Sequence, residues 1–380
     1  MRIVVTGCDG FLGWHTRVRL ATHGEHVVVP VGRSNWSELP ALCRTADAVI
    51  HCAGVNRADP DVVESGNIAL AGQLAAAIRN ADGPLRVVYA NSVHSGRPDP
   101  YGRGKEQAGH IIRTAVDHRS GRFVDVLLPN LFGEHGRPHY NSFVATFAHA
   151  VVHDSRPDVA DRRVEVLHAQ TAAQCLIDGI TADIDRLTPD GTAVTVDGML
   201  RVLLSMWRTY RTGDIPALTT PFDVDVFNTL RSAAFPAHYP IGLPLHSDRR
   251  GRLVETVRTH GGRGQTFVST TRPGVTRGEH FHLRKVERFV VLSGQALIEV
   301  RRMFHREIET FEVNGDRPMV VDMPTMWAHN ITNVGSGDLV TLFWTDGLFD
   351  PAAPDTFPAA VRSVHGPVAV GAAAGSRADP

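Results

Sequence analysis

The sequence predicts two domains of different class: an α/β domain built on a doubly wound parallel sheet, then a small all-β barrel. Three observations carry this reading. In the N-terminal part, short β-branched runs alternate with longer helix-like segments, the rhythm of parallel strands joined by crossover helices. Beyond about residue 245, short strand-like runs separated by Gly, Pro and Asp take over. The 380 residues suit two or three domains at roughly 150 residues each. With 43% hydrophobic and 21% charged residues, disorder, collagen and coiled coil are excluded as the overall design.

Taken in order, strands are expected over 2–6, 25–31, 48–52, 85–90 and 123–129, with helices over 11–23, 62–80 and 105–118 between them. Residues 199–210 and 224–234 again read as helices. Residues 236–244, with prolines at both ends, read as an extended linker. The barrel strands follow at 265–270, 287–292, 296–301, 319–322 and 339–344. The expected domains are therefore 1–240 and 245–362, with an Ala-, Gly- and Pro-rich disordered tail over 366–380.

Charge and targeting narrow the function. Lys and Arg total 39 against 40 Asp and Glu, so no basic surface for nucleic acid is expected, although a local basic pocket is not excluded. No signal-peptide pattern and no apolar run of membrane-spanning length is seen, and the four cysteines are scattered. A cytoplasmic protein is expected.

Thr6-Gly7-Cys8-Asp9-Gly10-Phe11-Leu12-Gly13 joins the first strand to the first helix. Glycines at this spacing let the backbone turn, approach a pyrophosphate and pack the helix on the sheet, a Rossmann-type dinucleotide site. After the second strand, where NAD-binding folds carry an acidic residue, stands Arg33, which favours the 2′-phosphate of NADP(H). Tyr101 and Lys105 lie four residues apart, on one helix face, so an ammonium sits near a phenol and favours the phenolate. Ser92 follows the fourth strand and is placed to bond the same substrate oxygen, with Asn91 or Ser95 as alternatives.

These motifs resemble the extended short-chain dehydrogenase/reductase family, which usually acts on nucleotide sugars. The resemblance implies that Tyr101 is the acid/base, that Lys105 orients the nicotinamide ribose, and that Ser92 holds the substrate carbonyl. It places Gly7, Gly10, Phe11, Leu12, Gly13, Arg33, Ala53, Gly54, Tyr101 and Lys105 at the cofactor, and Asn130, Arg137, Tyr140 and Asn141 at the substrate.

A second motif follows: Gly274, His280-x-His282, Glu287, Gly294, then Pro324 to His329 and Asn333. The spacing resembles the cupin family, with Met326 where a glycine is usual. His280, His282, Glu287 and His329 would converge on a divalent metal such as zinc. The segment Arg277-Gly-Glu-His-Phe-His282 also resembles the dTDP-4-keto-6-deoxyhexose 3,5-epimerases, in which the His280 position is the base. Ligand and base are competing roles for one imidazole nitrogen. That relative also uses a tyrosine acid, whereas all five tyrosines here precede the barrel, so a single inversion is expected.

As a whole, residues 1–360 resemble bifunctional capsular polysaccharide synthesis enzymes, an extended reductase fused to a cupin. The resemblance implies carbon-3 epimerisation of a UDP-2-acetamido-2,6-dideoxy-4-hexulose by the cupin and reduction of the carbon-4 ketone with NADPH. The product is a UDP-2-acetamido-2,6-dideoxy-L-talose, towards UDP-N-acetyl-L-fucosamine. Two alternatives stand beside this oxidoreductase–isomerase reading: a monofunctional NADPH-dependent 4-ketoreductase with a structural or dimerising cupin, and a non-catalytic nucleotide sensor. A homodimer is the default assembly.

Overall fold

The computed structural model of the chain describes residues 1–362. The expected tail at 366–380 lies outside them. Two compact units interleave along the chain: Met1–Leu131 with Val164–Ala193, and Phe132–Arg163 with residues 194–362.

In the first unit, strands β1 (Arg2–Thr6), β2 (Val27–Val31), β3 (Ala48–His51), β4 (Arg86–Ser92) and β5 (Arg122–Leu128) pair in the order β2-β1-β3-β4-β5, every pair parallel. The crossovers carry α1 (Phe11–Ala21), α2 (Leu39–Arg44), α3 (Pro60–Arg79) and α4 (Pro100–Asp117). Alternate strand residues feed two separate cores. Val4, Val49, Val87 and Phe123 pack with Leu74, Ile78 and Ile112 on one face. Ile3, Val5, Ile50, Val88 and Val126 pack with Leu20 and Leu176 on the other. Burial on both faces explains why these strands read as continuous β-branched runs. The chain order reverses about β1, which opens a crevice at the carboxyl ends of β1 and β3.

The second unit contains two five-stranded sheets in which every pairing is antiparallel. One runs Ile241–Gly242, Met319–Met323, Glu287–Ser293, Leu339–Thr345, Gln265–Thr271; the other Ile308–Asn314, Gln295–Arg302, Trp327–Asn333, Thr276–Phe281, Phe357–Pro358. Phe289 of the first sheet meets Phe343 edge-on at 4.6 Å and His329 of the second at 5.9 Å, so its side of the strand lines the space between the sheets.

Neighbouring strand residues face opposite ways. Arg288 and Asp322 therefore lie on the far side of the first sheet, both fully buried, joined by hydrogen bonds of 2.7 and 2.9 Å. The Tyr210 hydroxyl donates to Asp322 at 2.7 Å and is itself bonded to Tyr239. Arg288 also donates to the Gly213 carbonyl at 2.6 Å. This network fastens the end of helix Val196–Tyr210 to the sheet. It also corrects the expectation of an extended linker over 236–244. Tyr239 and Ile241 are buried there, and Ile241–Gly242 pairs with the strand Met319–Met323, because burying these side chains outweighs the freedom of a loose connection.

Asp322→Ala leaves the Arg288 guanidinium buried without its counter-charge. A loss of about 3–5 kcal/mol is expected for the second unit, read as an earlier urea midpoint by tryptophan fluorescence.

Candidate functional site

The glycine-rich loop is shaped by contacts that leave no room for side chains. Gly7 has φ +64°, and a Cβ there would lie 2.7 Å from the Ala53 nitrogen, so the loops after β1 and β3 touch. At Gly13 a Cβ would meet the Gly7 carbonyl oxygen at 2.1 Å, which lets α1 start against the loop. Gly10 caps α1 with no side-chain bond, and the first turn of α1 (Phe11, Leu12, Gly13) carries no acidic residue. This positive helix end beside a bare backbone cradle suits a pyrophosphate. Ala53 and Gly54 are held from behind: the Ala53 N–H donates to Thr6 Oγ1 at 3.3 Å, and the buried Asn67 of α3 donates to the Val55 carbonyl at 2.7 Å. The residues present therefore fit a dinucleotide. Arg33 is exposed just past β2.

Tyr101 and Lys105 both lie in the first turns of α4, which starts five residues earlier than the expected 105–118 because Asp99 caps it through the Gly102 N–H at 2.8 Å. The Ser92 hydroxyl stands close enough to the Tyr101 phenol to favour its ionised form. Asn91 does not compete for it: its amide donates to the buried Asp125 at 2.8 Å and to Ser95 at 3.3 Å, while its oxygen accepts the Ser92 N–H. Lys105 turns away from solvent, donating to the Ala90 carbonyl at 2.7 Å over the Tyr89 ring. Burial pushes its ammonium down to about 7. The expectation that this charge holds Tyr101 towards its phenolate is not met in this geometry. Burial pushes the phenol up, and only the Ser92 hydroxyl pulls the other way.

The four residues of the second motif do converge. The ligand atoms of His280, His282, Glu287 and His329 all lie within 4.8 Å of one another. Glu287 stands on the first sheet and the three histidines on or beside strands of the second. Its Oε2 is 3.0 Å from His282 Nε2 and 3.2 Å from His329 Nε2. The opposite nitrogens are tied to carbonyls, His282 Nδ1 to Asp355 at 2.5 Å and His329 Nδ1 to Trp327 at 3.2 Å. With a metal bound, donation from each Nδ1 to its carbonyl would turn the Nε2 lone pair towards the ion; without one, the same Nε2 positions meet Glu287 Oε2. Burial and then the neighbouring imidazoles push His280 down to about 4. Burial works to raise Glu287, but hydrogen bonds from His282 and His329 win and hold it well below the usual carboxylate range. Three imidazoles around an ionised carboxylate fit a divalent cation.

Backbone strain aims the histidines. Gly278 (φ +103°) and Glu279 (φ +58°) form a bulge that shifts the pairing before His280. Glu279 is held there by Asn330 at 2.7 Å and the Val361 N–H at 2.6 Å. Met326 takes the left-handed turn expected of glycine (φ +62°), its N–H donating to the His282 carbonyl at 2.7 Å. Sequence reading missed Asp355, whose carboxylate accepts the Leu283, Arg284 and Lys285 N–H groups at 2.7–2.9 Å and so fixes the loop between His282 and Glu287.

Of the four expected substrate residues, Asn130 donates to the Glu165 carbonyl at 3.0 Å in the first unit. Arg137, Tyr140 and Asn141 are exposed in the second, with Arg137 stacked 5.5 Å over the Tyr140 ring. Among the described residues, no helix is long and apolar enough to cross a membrane.

Residues 3–174 match the NAD dependent epimerase/dehydratase family, and residues 246–357 the polysaccharide biosynthesis C-terminal domain. Over 373 residues, 95% of this chain and 99% of the relative, the sequence is 31% identical to the UDP-2-acetamido-2,6-beta-L-arabino-hexul-4-ose reductase of Pseudomonas aeruginosa. The chain belongs to the family of that reductase. Its fold also matches the capsular polysaccharide assembling protein CapF from Staphylococcus aureus at TM-score 0.59 and 29% identity, covering 95% of this chain and all of that one. The spore coat polysaccharide biosynthesis protein SpsL of Bacillus subtilis is 29% identical over 122 residues, 30% of this chain and 81% of SpsL. The chain is an enzyme.

Asp355→Ala removes the carboxylate that fixes the 283–285 loop between two of the ligands, while the backbone carbonyl at His282 Nδ1 stays. Metal retention is expected to weaken by about 10–100-fold, measured by competition with a chromogenic chelator.

Proposed function

We propose that this enzyme performs two consecutive steps on one UDP-sugar. The second unit's sheets form a cupin barrel that inverts carbon 3 of a UDP-2-acetamido-2,6-dideoxy-4-hexulose. The short-chain reductase domain then reduces the carbon-4 ketone, giving a UDP-2-acetamido-2,6-dideoxy-L-talose for surface polysaccharide. The observation that carries the reading is one chain holding both a Ser92–Tyr101–Lys105 cluster and a three-histidine, one-glutamate centre. Likeness along nearly the whole length to a UDP-2-acetamido-hexulose reductase and to CapF supports the substrate class.

The chemistry follows from the side chains. A ketone acidifies the neighbouring carbon–hydrogen bond, so a base in the cupin removes the carbon-3 proton and a proton returns on the other face. The metal, most simply zinc, supplies positive charge for the developing oxyanion when bound. His280, half-buried where the other three ligands are buried, is assigned to this centre. Inversion leaves the ketone intact for the second step. NADPH, favoured by Arg33, supplies the hydride to carbon 4; Tyr101 gives its proton to the ketone oxygen while Ser92 bonds it, and Lys105 holds the nicotinamide ribose. Asn130, Arg137, Tyr140 and Asn141 are assigned to the UDP-sugar. The functional division is 1–240 for reduction and 245–362 for epimerisation, in a cytoplasmic homodimer. A monofunctional ketoreductase with a structural cupin is the second reading, favoured because Tyr210 and Tyr239 sit on the far side of the sheet from the metal cluster.

The two steps separate by mutation. With a UDP-2-acetamido-4-keto-6-deoxy sugar in heavy water and no NADPH, deuterium is expected to enter carbon 3, and His280→Ala to abolish it. Tyr101→Phe is expected to keep that exchange while slowing NADPH oxidation by about 10²–10⁴-fold. NADPH oxidation with no exchange in the unmodified enzyme would establish the second reading instead.

A further inference from the structure

The position that usually reads the adenosine ribose is vacated here. In dinucleotide folds an acidic side chain at the end of the second strand, about 20 residues past the glycine motif, bonds the ribose hydroxyls. Here β2 ends at Val31 and Gly32 follows, with no side chain to offer. The space is not empty. A Cβ built on Gly32 would lie 2.5 Å from Asp9 Oδ2 and 3.3 Å from Cys8 Sγ. Asp9 belongs to the glycine-rich loop, which is fastened to this spot by the Cys8 N–H donating to the Val31 carbonyl at 3.3 Å. Its other oxygen, Oδ1, is 3.2 Å from Arg17 Nη1, which also donates to the Cys8 carbonyl at 3.2 Å. Arg17 is nearly buried and Asp9 is 72% exposed, so the ion pair anchors the carboxylate at its inner oxygen and leaves the outer one at the strand end.

We propose that Asp9 supplies the ribose-reading carboxylate from the glycine-rich loop, and that it and Arg33 act in opposition to set the choice of cofactor. Asp9 accepts hydrogen bonds from the 2′-hydroxyl of NADH and repels the 2′-phosphate of NADPH. Arg33, the exposed neighbour of Gly32, attracts that phosphate. The enzyme therefore takes NADH as well as NADPH, with a preference far below that of a site built of cations alone. This inference rests on the dinucleotide reading of the first unit, but not on the identity of the sugar.

Direct binding tests it without a sugar substrate. The fluorescence of NADH and of NADPH is titrated with the full-length protein, unmodified and carrying Asp9→Asn, Asp9→Ser or Arg33→Ala. The unmodified protein is expected to bind the two nucleotides within about tenfold of each other. Removing the negative charge with either Asp9 variant is expected to tighten NADPH about tenfold and to weaken NADH, while Arg33→Ala weakens NADPH alone. An unchanged NADPH-to-NADH ratio in both Asp9 variants, with both nucleotides still bound, would overturn the role of Asp9 and leave the reductase reading standing. Binding of neither nucleotide by the unmodified protein would overturn both.

Discussion

The second unit depends on one buried carboxylate. Glu287 reaches from one sheet to histidines of the other, and a single oxygen lies within 3.2 Å of both His282 and His329. An ionised group taken out of water is costly unless compensated. A divalent cation would supply that compensation, held between the carboxylate and imidazoles whose far nitrogens meet the Asp355 and Trp327 carbonyls. Everything around the cluster serves that arrangement. The Gly278–Glu279 bulge re-aims His280, Met326 accepts a strained turn to bond the His282 carbonyl, and Asp355 closes the loop that joins two of the ligands. Strain of this kind persists only where surrounding bonds over-determine the backbone.

The first unit is organised by a different constraint, the lack of space around its glycine-rich loop. Side chains at Gly7 or Gly13 would collide with backbone at under 3 Å. That crowding brings the loops after β1 and β3 into contact and leaves bare amides for phosphate. The acid–base group is built beside it from two adjoining elements, Ser92 ending β4 and Tyr101 with Lys105 opening α4. A neutral phenol beside a serine hydroxyl is the state that donates a proton to a ketone oxygen, so burial of Tyr101 suits reduction.

What could be read from sequence is what is local. Strands β1 to β5 lie within two residues of their expected bounds because they are spelled in β-branched residues, and β1, β3, β4 and β5 are buried on both faces. The glycine motif, the Tyr101/Lys105 pair and the four-ligand spacing each sit in short segments. Helix Phe143–Val152 is hard to read from sequence because only Thr146 and His149 mark its polar side among ten residues. Long-range partners were invisible. Asp355 acts on His282 across 73 residues, and Asn91 spends its amide on Asp125 across 34. The Pro-flanked 236–244 stretch misled because its buried Tyr239 and Ile241 are anchored by residues on other elements. A buried Asn67 in an otherwise apolar helix face was the one hint available that the loop after β3 is held in place.

One turnover in heavy water tests the two-step account most directly. The UDP-2-acetamido-4-keto-6-deoxy sugar is converted with protiated NADPH in D₂O, and the isolated product is read by NMR and mass. Deuterium bonded at carbon 3, protium at carbon 4 and inverted configuration at carbon 3 are the expected result. A reduced product with protium at both carbons and unchanged configuration would contradict it.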